Sequence, residues 1–270
     1  TTLIKGVEDV AQRNGYSVIL CNSDENPARE RQYVSVLCAE RVAGAIVMPT
    51  SETPRIVKLF LENHIPVVTV DRRIAGREVD AILSDNILGA HEAVSHLITN
   101  GYRRIALITG PATSTTGRER LEGYRQALRD ADIPLDSSLE RFGDFKEGSG
   151  YTLAHGLLAL QPAIDALFVA NNPMMLGTLK AIYERQLRVP DDIALVGFDE
   201  LPWVTLGSIS LTTVTQSVYE LGNTAALRLF QRLQSPNEMT QQEIIIAPTL
   251  HVRGSSLPRT STVSTTSIPT

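Results

Sequence analysis

Polar side chains follow the apolar runs of this sequence at several points, and these positions carry its clearest chemistry. Carboxylates and amides pair with hydroxyl groups, an arginine offers several donors in a fixed fork, and an aromatic face covers an apolar ring. Such residue types together favour binding of a polyol-like molecule. The positions are Asp24, 48–51, Asp71 with Arg72, 109–111 with Arg118, Asp144 with Phe145, 170–172 and 198–200.

Each of these positions also has a plain structural interpretation. An aspartate at a strand end often caps a helix or forms a turn. Phe145 fits a core position as well as a ligand contact. Arg118 stands in the first turn of its predicted helix, where a cation opposes the helix macrodipole, so a surface arginine is mildly disfavoured there and a bound partner would explain it. The grouping of so many polar strand ends favours a binding site over a set of unrelated caps.

Catalytic motifs are missing from the sequence. Gly110 and Gly117 are separated by six residues rather than the four of a phosphate loop, and Arg118 replaces the Lys-Ser/Thr pair. The sequence contains no Gly-x-Ser-x-Gly elbow, no dinucleotide fingerprint and no His-Glu-x-x-His or Cys-x-x-Cys pattern. We therefore expect a protein that is not an enzyme and that uses no cofactor and no metal.

Short apolar strands alternate with amphipathic helices along the chain, which predicts an α/β fold with parallel sheets covered on both faces. The first helix begins near Leu3 and stops at Gly15. Predicted strands cover 17–21, 44–48, 66–70, 81–84, 104–109, 142–145, 165–170, 193–198 and 243–252, and predicted helices cover 28–40, 53–63, 88–100, 118–130, 148–160, 174–186 and 218–233. The scheme repeats in the second half, which indicates two Rossmann-like lobes.

Composition restricts the class of protein further. The 270 residues suffice for two lobes with cores of their own. No apolar run reaches the roughly 18 residues that a membrane span requires. The net charge is −5 and the Lys and Arg residues are scattered, so the sequence does not indicate a basic surface that would bind a nucleic acid. Two cysteines fit a reducing cytoplasm, although a periplasmic protein poor in cysteine would look the same.

Several ordered motifs resemble the regulatory domain of the LacI/GalR repressor family over nearly the whole chain. The most specific are Gly15-Tyr16-Ser17-Val18-Ile19-Leu20-Cys21-Asn22-Ser23-Asp24, the stretch 42–47, the stretch 100–111, Leu187-Arg188-Val189-Pro190-Asp191-Asp192-Ile193-Ala194-Leu195-Val196-Gly197-Phe198-Asp199, the stretch 211–216, and the terminal 250–256.

This resemblance implies a periplasmic-binding-protein-like fold of type I, with an effector in the cleft between the lobes of a homodimer. It assigns effector contacts to five positions that the residue types also indicate, namely Asp71, Arg118, Phe145, Asn171 and Asp199. Candidates of second rank, which do not come from the resemblance, are Asp24, Ser51 and Trp203. The implied lobes are 1–83 with 217–240 and 84–216 with 241–257, and the Ser/Thr-rich residues 258–270 form a disordered tail.

The chain departs from the family pattern at three places. Asn171-Asn172-Pro173 replaces the usual Asn-Asp, and 207–210 lack the proline expected before Leu211. The helix-turn-helix headpiece, the hinge helix and the first strand of the family are not found before Thr1, so a truncated chain is expected, with operator DNA bound only through the headpiece.

The resulting prediction is a cytoplasmic regulator, expected to be a repressor, that senses a sugar, a polyol, a sugar acid or a purine. The rival prediction is a periplasmic sugar-binding protein of a transport system, which would share the fold and the cleft.

Overall fold

The structure, a computed structural model, describes residues 2–76, 79–200, 210–235 and 240–259. The helices formed by these residues are α1 (Thr2–Arg13), α2 (Pro27–Ala39), α3 (Arg55–Glu62), α4 (Asn86–Thr99), α5 (Thr115–Asp130), α6 (Glu147–Leu157), α7 (Asn172–Glu184) and α8 (Val218–Gln234). The strands are β1 (Ala45–Val47), β2 (Val67–Val70), β3 (Asp80–Ser84), β4 (Ile105–Thr109), β5 (Glu140–Phe142), β6 (Ala166–Val169), β7 (Ala194–Phe198), β8 (Thr212–Thr215), β9 (Glu243–Ile246) and β10 (Thr249–His251).

The chain divides into two compact units, each assembled from three separate segments. The first unit takes its described residues from segments 1–89, 110–123 and 215–249. The second takes its described residues from segments 90–109, 124–214 and 250–270. Each unit contains one sheet packed with helices, so the predicted α/β class with two Rossmann-like lobes is confirmed.

The sheet of the first unit has four strands in the order β1-β2-β3-β9, and all of its neighbouring pairs are parallel. Strand β2 is buried along its whole length. Its Val68 and Val70 form a core with Ile82 of β3 and with Leu221 and Ala225 of α8. Burial on this scale is typical of a parallel strand covered by helices. The same packing fixes the carboxyl end of β2, which is followed by Asp71.

Helix α1 packs closely on α8 because a glycine stands on each side of the contact. A β-carbon added to Gly6 would lie 2.3 Å from the carbonyl oxygen of Tyr219, and one added to Gly222 would lie 2.1 Å from the carbonyl oxygen of Leu3. Only glycine permits such a close approach of two backbones. The hydroxyl of Tyr219 also donates a 2.7 Å hydrogen bond to Asp9 of α1. The predicted first helix is therefore a packed element of the first unit.

The second unit contains a six-stranded sheet in the order β10-β8-β7-β6-β4-β5. The four pairs that connect β8, β7, β6, β4 and β5 are parallel. Strands β6 and β7 are buried at every residue, and Leu167 and Leu195 pack in one core with Met174 and Ile182 of α7. Because these strands are central and covered, their carboxyl ends are rigid supports for the residues that follow them.

Helices α6 and α7 of the second unit also approach each other through glycines. A β-carbon on Gly150 would lie 2.2 Å from the carbonyl oxygen of Met174, and one on Gly177 would lie 2.1 Å from that of Glu147. The two helices begin next to each other for this reason. Asn171, which precedes α7, thereby comes close to the loop that leads into α6 and carries Phe145.

The predicted buried strand at 17–21 is wrong. These residues have no regular secondary structure, and Ile19 and Leu20 are each 65% exposed. Backbone N–H and C=O groups are buried only when they are paired. In the described part of the chain no strand pairs with this segment, so its backbone stays in contact with water despite its apolar side chains.

The predicted strand at 243–252 is two short strands in two different sheets. Strand β9 pairs in parallel with β3 of the first unit, whereas β10 joins β8 in the second sheet. Pro248 stands between them, and proline lacks the amide hydrogen that a continuous ladder requires. The compact units differ from the expected lobe bounds at residues 84–89, 110–123, 215–216 and 241–249, which lie in the first unit.

Two sequence predictions fall outside the described residues, namely the contact assigned to Trp203 and residues 260–270 of the predicted tail. Among the residues that the structure does describe, no helix is both long and apolar enough to span a membrane.

Candidate ligand-binding site

Three of the five principal candidate residues share a left-handed backbone conformation. The φ angle is 66° at Asp71, 63° at Phe145 and 73° at Asp199. Aspartate visits this region more easily than most residues, whereas a bulky side chain there is an outlier. The conformation costs about 1–2 kcal/mol per residue, and such strain is concentrated at binding sites whose surroundings enforce it. Six other described non-glycine residues also have a positive φ: Arg41, His64, Asp132 and Gln186 come after helices, and Asp24 and Glu25 lie in the turn before α2. Asp71, Phe145 and Asp199 differ from these because they follow strands.

Hydrogen bonds from neighbouring elements hold these three turns in place. The amide of Asp71 donates to the carbonyl oxygen of Ile82 at 2.9 Å, and the amide of Asp199 donates to that of Val214 at 2.7 Å. The carbonyl oxygen of Phe145 accepts from the side-chain amide of Asn171 at 3.2 Å. Asp71 and Asp199 thus directly follow the carboxyl ends of parallel strands, which is where open α/β sheets bind ligands.

Arg72, next to Asp71, organises the loops of the first unit. Its guanidinium donates to both carboxylate oxygens of Glu25, at 2.7 and 2.8 Å, and to the carbonyl oxygen of Pro49 at 3.2 Å. It also lies 3.8 Å from the carboxylate of Asp71. Burial alone would lower the pKa of Arg72, but the hydrogen bond and charge of Glu25 outweigh it and raise that pKa. Arg72 is therefore a permanent cation that ties Asp71 to two loops.

The two second-rank candidates in the first unit lie in loops, and the Ser51 side chain has a local partner. Asp24 lies exposed in the turn before α2, and its neighbour Glu25 is the residue that reaches Arg72. The Ser51 hydroxyl pairs with that of Thr53 at 2.8 Å. The loop of Ser51 is shaped by the buried Glu30, which accepts from the amide of Thr50 at 2.8 Å and from its hydroxyl at 2.6 Å.

Arg118 has an internal partner that the sequence pattern did not reveal. Its guanidinium pairs with the carboxylate of Glu52 and also donates to the carbonyl oxygen of Ala112 at 3.3 Å. The same Glu52 oxygen accepts from the hydroxyl of Thr115 at 2.7 Å. A carboxylate at this helix start offsets the unfavourable position of the arginine against the helix macrodipole. The position of Arg118, for which the sequence suggested a bound partner, is thus accounted for by a residue of the protein itself.

Asn171 and Phe145 are joined in the second unit, and each also has a structural role. Asn171 caps α7, since its side-chain oxygen accepts from the amide of Met174 at 3.0 Å. Phe145 is half-buried and packs on the edge of the core. Both the structural interpretation and the ligand-contact interpretation of Phe145 therefore remain consistent with its place.

The segment that follows β7 is held from two sides. The carboxylate of Glu200 accepts from Arg253 at 2.5 Å, and its backbone carbonyl oxygen accepts from the side-chain amide of Asn172 at 3.1 Å. Arg253 in turn donates to the hydroxyl of Thr213 at 2.9 Å and to the carbonyl oxygen of Leu211 at 2.8 Å. These contacts position the turn of Asp199 against β8 and explain why an arginine stands in the terminal motif.

The two units thus each carry part of the candidate set. Asp71 and Arg118 lie in the first unit, and Phe145, Asn171 and Asp199 lie in the second. The sequence pattern missed the supporting residues Glu25, Glu52 and Arg253, whose partners are distant in the chain. Within the described residues no group of three or more His, Cys, Asp or Glu side chains is arranged to hold a metal ion.

Comparison with known proteins gives consistent matches over both units. A model of the periplasmic binding protein-like domain matches residues 94–256. The ribose operon repressor of Escherichia coli (strain K12) is 34% identical over 94% of this chain and 77% of its own length. The HTH-type transcriptional repressor PurR of Mannheimia succiniciproducens is 32% identical over 94% of this chain and 76% of its own.

Among solved structures, a LacI family transcriptional regulator from Enterococcus faecium with bound ribose superposes with a TM-score of 0.84. It is 25% identical, and the match covers 96% of this chain and 94% of that one.

Proposed function

The chain belongs to the LacI/GalR family of transcriptional regulators, and from this premise we propose that it is the sensing domain of a repressor and binds a small sugar or sugar-derived effector. Two of its relatives are named as repressors, one of them of a ribose operon, and a similar solved structure contains ribose. The relatives are regulators, which decides against the alternative of a transport protein.

The observation that carries the proposal is the set of candidate side chains at strand ends. Carboxylates at Asp71 and Asp199, an amide at Asn171 and a guanidinium at Arg118 suit a molecule with many hydroxyl groups. Asp71, Phe145 and Asp199 are held in strained conformations at these positions. Residues kept in place at such a cost are expected to serve recognition.

Regulation follows if the effector binds one conformation of the sensing domain better than another. A ligand shifts a conformational equilibrium only by its differential affinity for the two states. Linkage then requires that DNA binding by the regulator changes effector affinity by the same factor. In this scheme the effector is bound and released unchanged, and no catalytic step is proposed.

Direct ligand binding tests the first part of the proposal. The chain is titrated calorimetrically with ribose, glucose, galactose and, for the purine alternative, hypoxanthine and guanine. We expect saturable binding of a sugar to the wild-type chain. In Arg118→Ala the affinity for this sugar is expected to fall by about tenfold or more, and a tenfold fall corresponds to about 1.4 kcal/mol of binding free energy. An unchanged affinity in this variant would remove Arg118 from the site, and binding of a purine alone would reject the sugar.

Coupling to DNA tests the second part. The sensing domain is fused to a LacI/GalR helix-turn-helix headpiece, and effector affinity is measured with and without operator DNA. Different affinities are expected, and equal affinities would contradict a regulatory role.

We also propose that the intact regulator is a homodimer in the cytoplasm. Tyr219 and Leu227 on α8, which are 40% and 47% exposed, leave apolar surface on this helix in the isolated chain. Light scattering after size-exclusion chromatography is expected to give twice the mass of the chain, and a monomer at all concentrations would refute the dimer.

A further inference from the structure

We propose that Glu52 makes the effector site selective for neutral sugars over sugar acids and sugar phosphates. This inference rests on the proposed function, because it assumes that Arg118 contacts the effector. The basis is the ion pair between Arg118 and Glu52, in which the guanidinium that would attract an anion is already matched by a carboxylate.

Glu52 is a fixed partner rather than a mobile surface acid. The hydroxyl of Thr115, a buried residue, donates to the same carboxylate oxygen that pairs with Arg118. The backbone carbonyl of Glu52 accepts from the amide of Ala75 at 2.7 Å. Its side chain is 31% exposed and that of Arg118 is 46% exposed, so both still have surface that a ligand can reach.

Two further arginines of the first unit have carboxylate partners of the same kind. Arg72 pairs with Glu25, and Arg73 pairs with both Glu119 and Glu243. The guanidiniums of Arg72, Arg73 and Arg118 therefore each have a carboxylate partner. An anion that approaches Arg118 would have to displace the carboxylate of Glu52 or lie beside it.

A neutral ligand has no such conflict. An arginine carries five N–H donors and an ionised carboxylate can accept about four hydrogen bonds. Sugar hydroxyls can accept from Arg118 and donate to Glu52 while the ion pair stays intact. A carboxylate or phosphate on the ligand would meet the negative charge of Glu52, and like charges placed together in a recognition site are strongly unfavourable.

Matched pairs of ligands that differ in charge test the inference. Isothermal titration compares glucose with glucuronate, galactose with galacturonate, and ribose with ribose 5-phosphate. In the wild-type chain we expect the neutral member of each bound pair to bind more tightly. In Glu52→Gln the ratio of anion affinity to neutral affinity is expected to rise by about tenfold or more, because the repulsion is removed and Arg118 is released.

Glu243→Gln is the matched control, since it removes the same charge from the same unit at a different arginine. Its affinity ratio is expected to equal that of the wild type. Thr115→Val is a second variant, which frees Glu52 from one of its restraints and is expected to shift the ratio in the same direction by less. Thermal unfolding without ligand checks that each variant is folded.

Three results would overturn the inference while leaving the proposed function intact. The first is an affinity ratio that is unchanged in both single variants, Glu52→Gln and Thr115→Val, when both are folded. The second is a rise of this ratio in Glu243→Gln that equals the rise in Glu52→Gln. The third is a wild-type chain that binds the anionic member of a pair more tightly. Absence of binding by every sugar and sugar derivative of the panel would instead reject the proposed function, and the inference with it.

Discussion

Charged side chains in this protein form ion pairs in both buried and exposed settings, and the difference has energetic consequences. The carboxylate of Asp80 on β3 is fully buried and lies 3.0 Å from Arg228 and 2.7 Å from Arg232 of α8. Burial alone would raise the pKa of Asp80, but hydrogen bonds from Arg232 and Arg228 outweigh it and lower that pKa. Asp192 is exposed, and hydrogen bonds from Arg188 lower its pKa to about 2.

Asp80→Asn is expected to destabilise the protein by about 3 kcal/mol at neutral pH, because it leaves two largely buried arginines without their counter-charge. The pKa of Asp80 is lower in the folded than in the unfolded chain, where it is about 3.9. Its contribution is therefore fully present above that value and is lost as the pH falls through the folded pKa. Urea unfolding from pH 7 to pH 3 should show the gap between wild type and variant narrowing below about pH 4.

Asp192→Asn serves as the control for this prediction, since it removes an aspartate with a lowered pKa at an exposed position. Little change in the unfolding free energy is expected, because water and salt screen the exposed pair. A gap for Asp80→Asn that stays constant with pH would show that its charge is not the stabilising feature.

The sequence indicated the candidate site better than it indicated what supports it. Polar residues after apolar runs point to the carboxyl edge of a sheet, which is why Asp71, Asn171 and Asp199 could be selected from local pattern alone. The partner of Arg118 could not, since Glu52 lies 66 residues away in the chain, and Glu25 lies 47 residues from Arg72. Hydrophobic periodicity does not predict ion pairs between residues so distant in the chain. It also does not predict the left-handed backbone conformation at Phe145.

At the scale of elements, hydrophobic pattern predicted helices and central strands well and failed where pairing decides the outcome. Strands β6 and β7 are buried on both faces, so their apolar runs alone identify them. Residues 17–21 have an equally apolar sequence, yet a strand exists only where another strand pairs with it. The distance between two packed helices likewise depends on residues of both helices. In this protein glycines at the contacts allow the two backbones to approach closely.

Two substitutions within α6 test this use of glycine. Gly150→Ala is expected to destabilise the protein by about 1–3 kcal/mol, because its β-carbon would lie 2.2 Å from a backbone oxygen of α7. Gly156 lies on the same helix, and no atom lies within 4 Å of a β-carbon added there. Gly156→Ala is therefore expected to stabilise the protein by about 0.5 kcal/mol, because alanine has a higher helix propensity than glycine. Chemical denaturation measures both, and equal effects would argue against a packing role for Gly150.

At the scale of the whole molecule, neither unit is a continuous stretch of sequence. The first unit requires segment 215–249, which supplies α8 and β9. Local pattern predicted these elements but not their sheet, because the apolar period of a strand is the same wherever the strand pairs. This is why the expected boundary at 241 differs from the end of the segment at 249, although the two-lobe architecture was predicted.

A chain ended after Val214 is therefore expected to lose the fold of the first unit, although it keeps α1 to α3 and β1 to β3. It lacks Leu221, Ala225 and Leu229 of the core around Val68, and it lacks both arginine partners of Asp80. Hydrogen exchange followed by mass spectrometry should show unprotected amides in β2 and β3 of this shorter chain. A chain ended after Arg259 retains every described contact and should match the full chain in both protection and thermal midpoint. Persistent protection of β2 and β3 in the chain ended at Val214 would mean that local packing is sufficient, and that α8 serves an unrelated purpose.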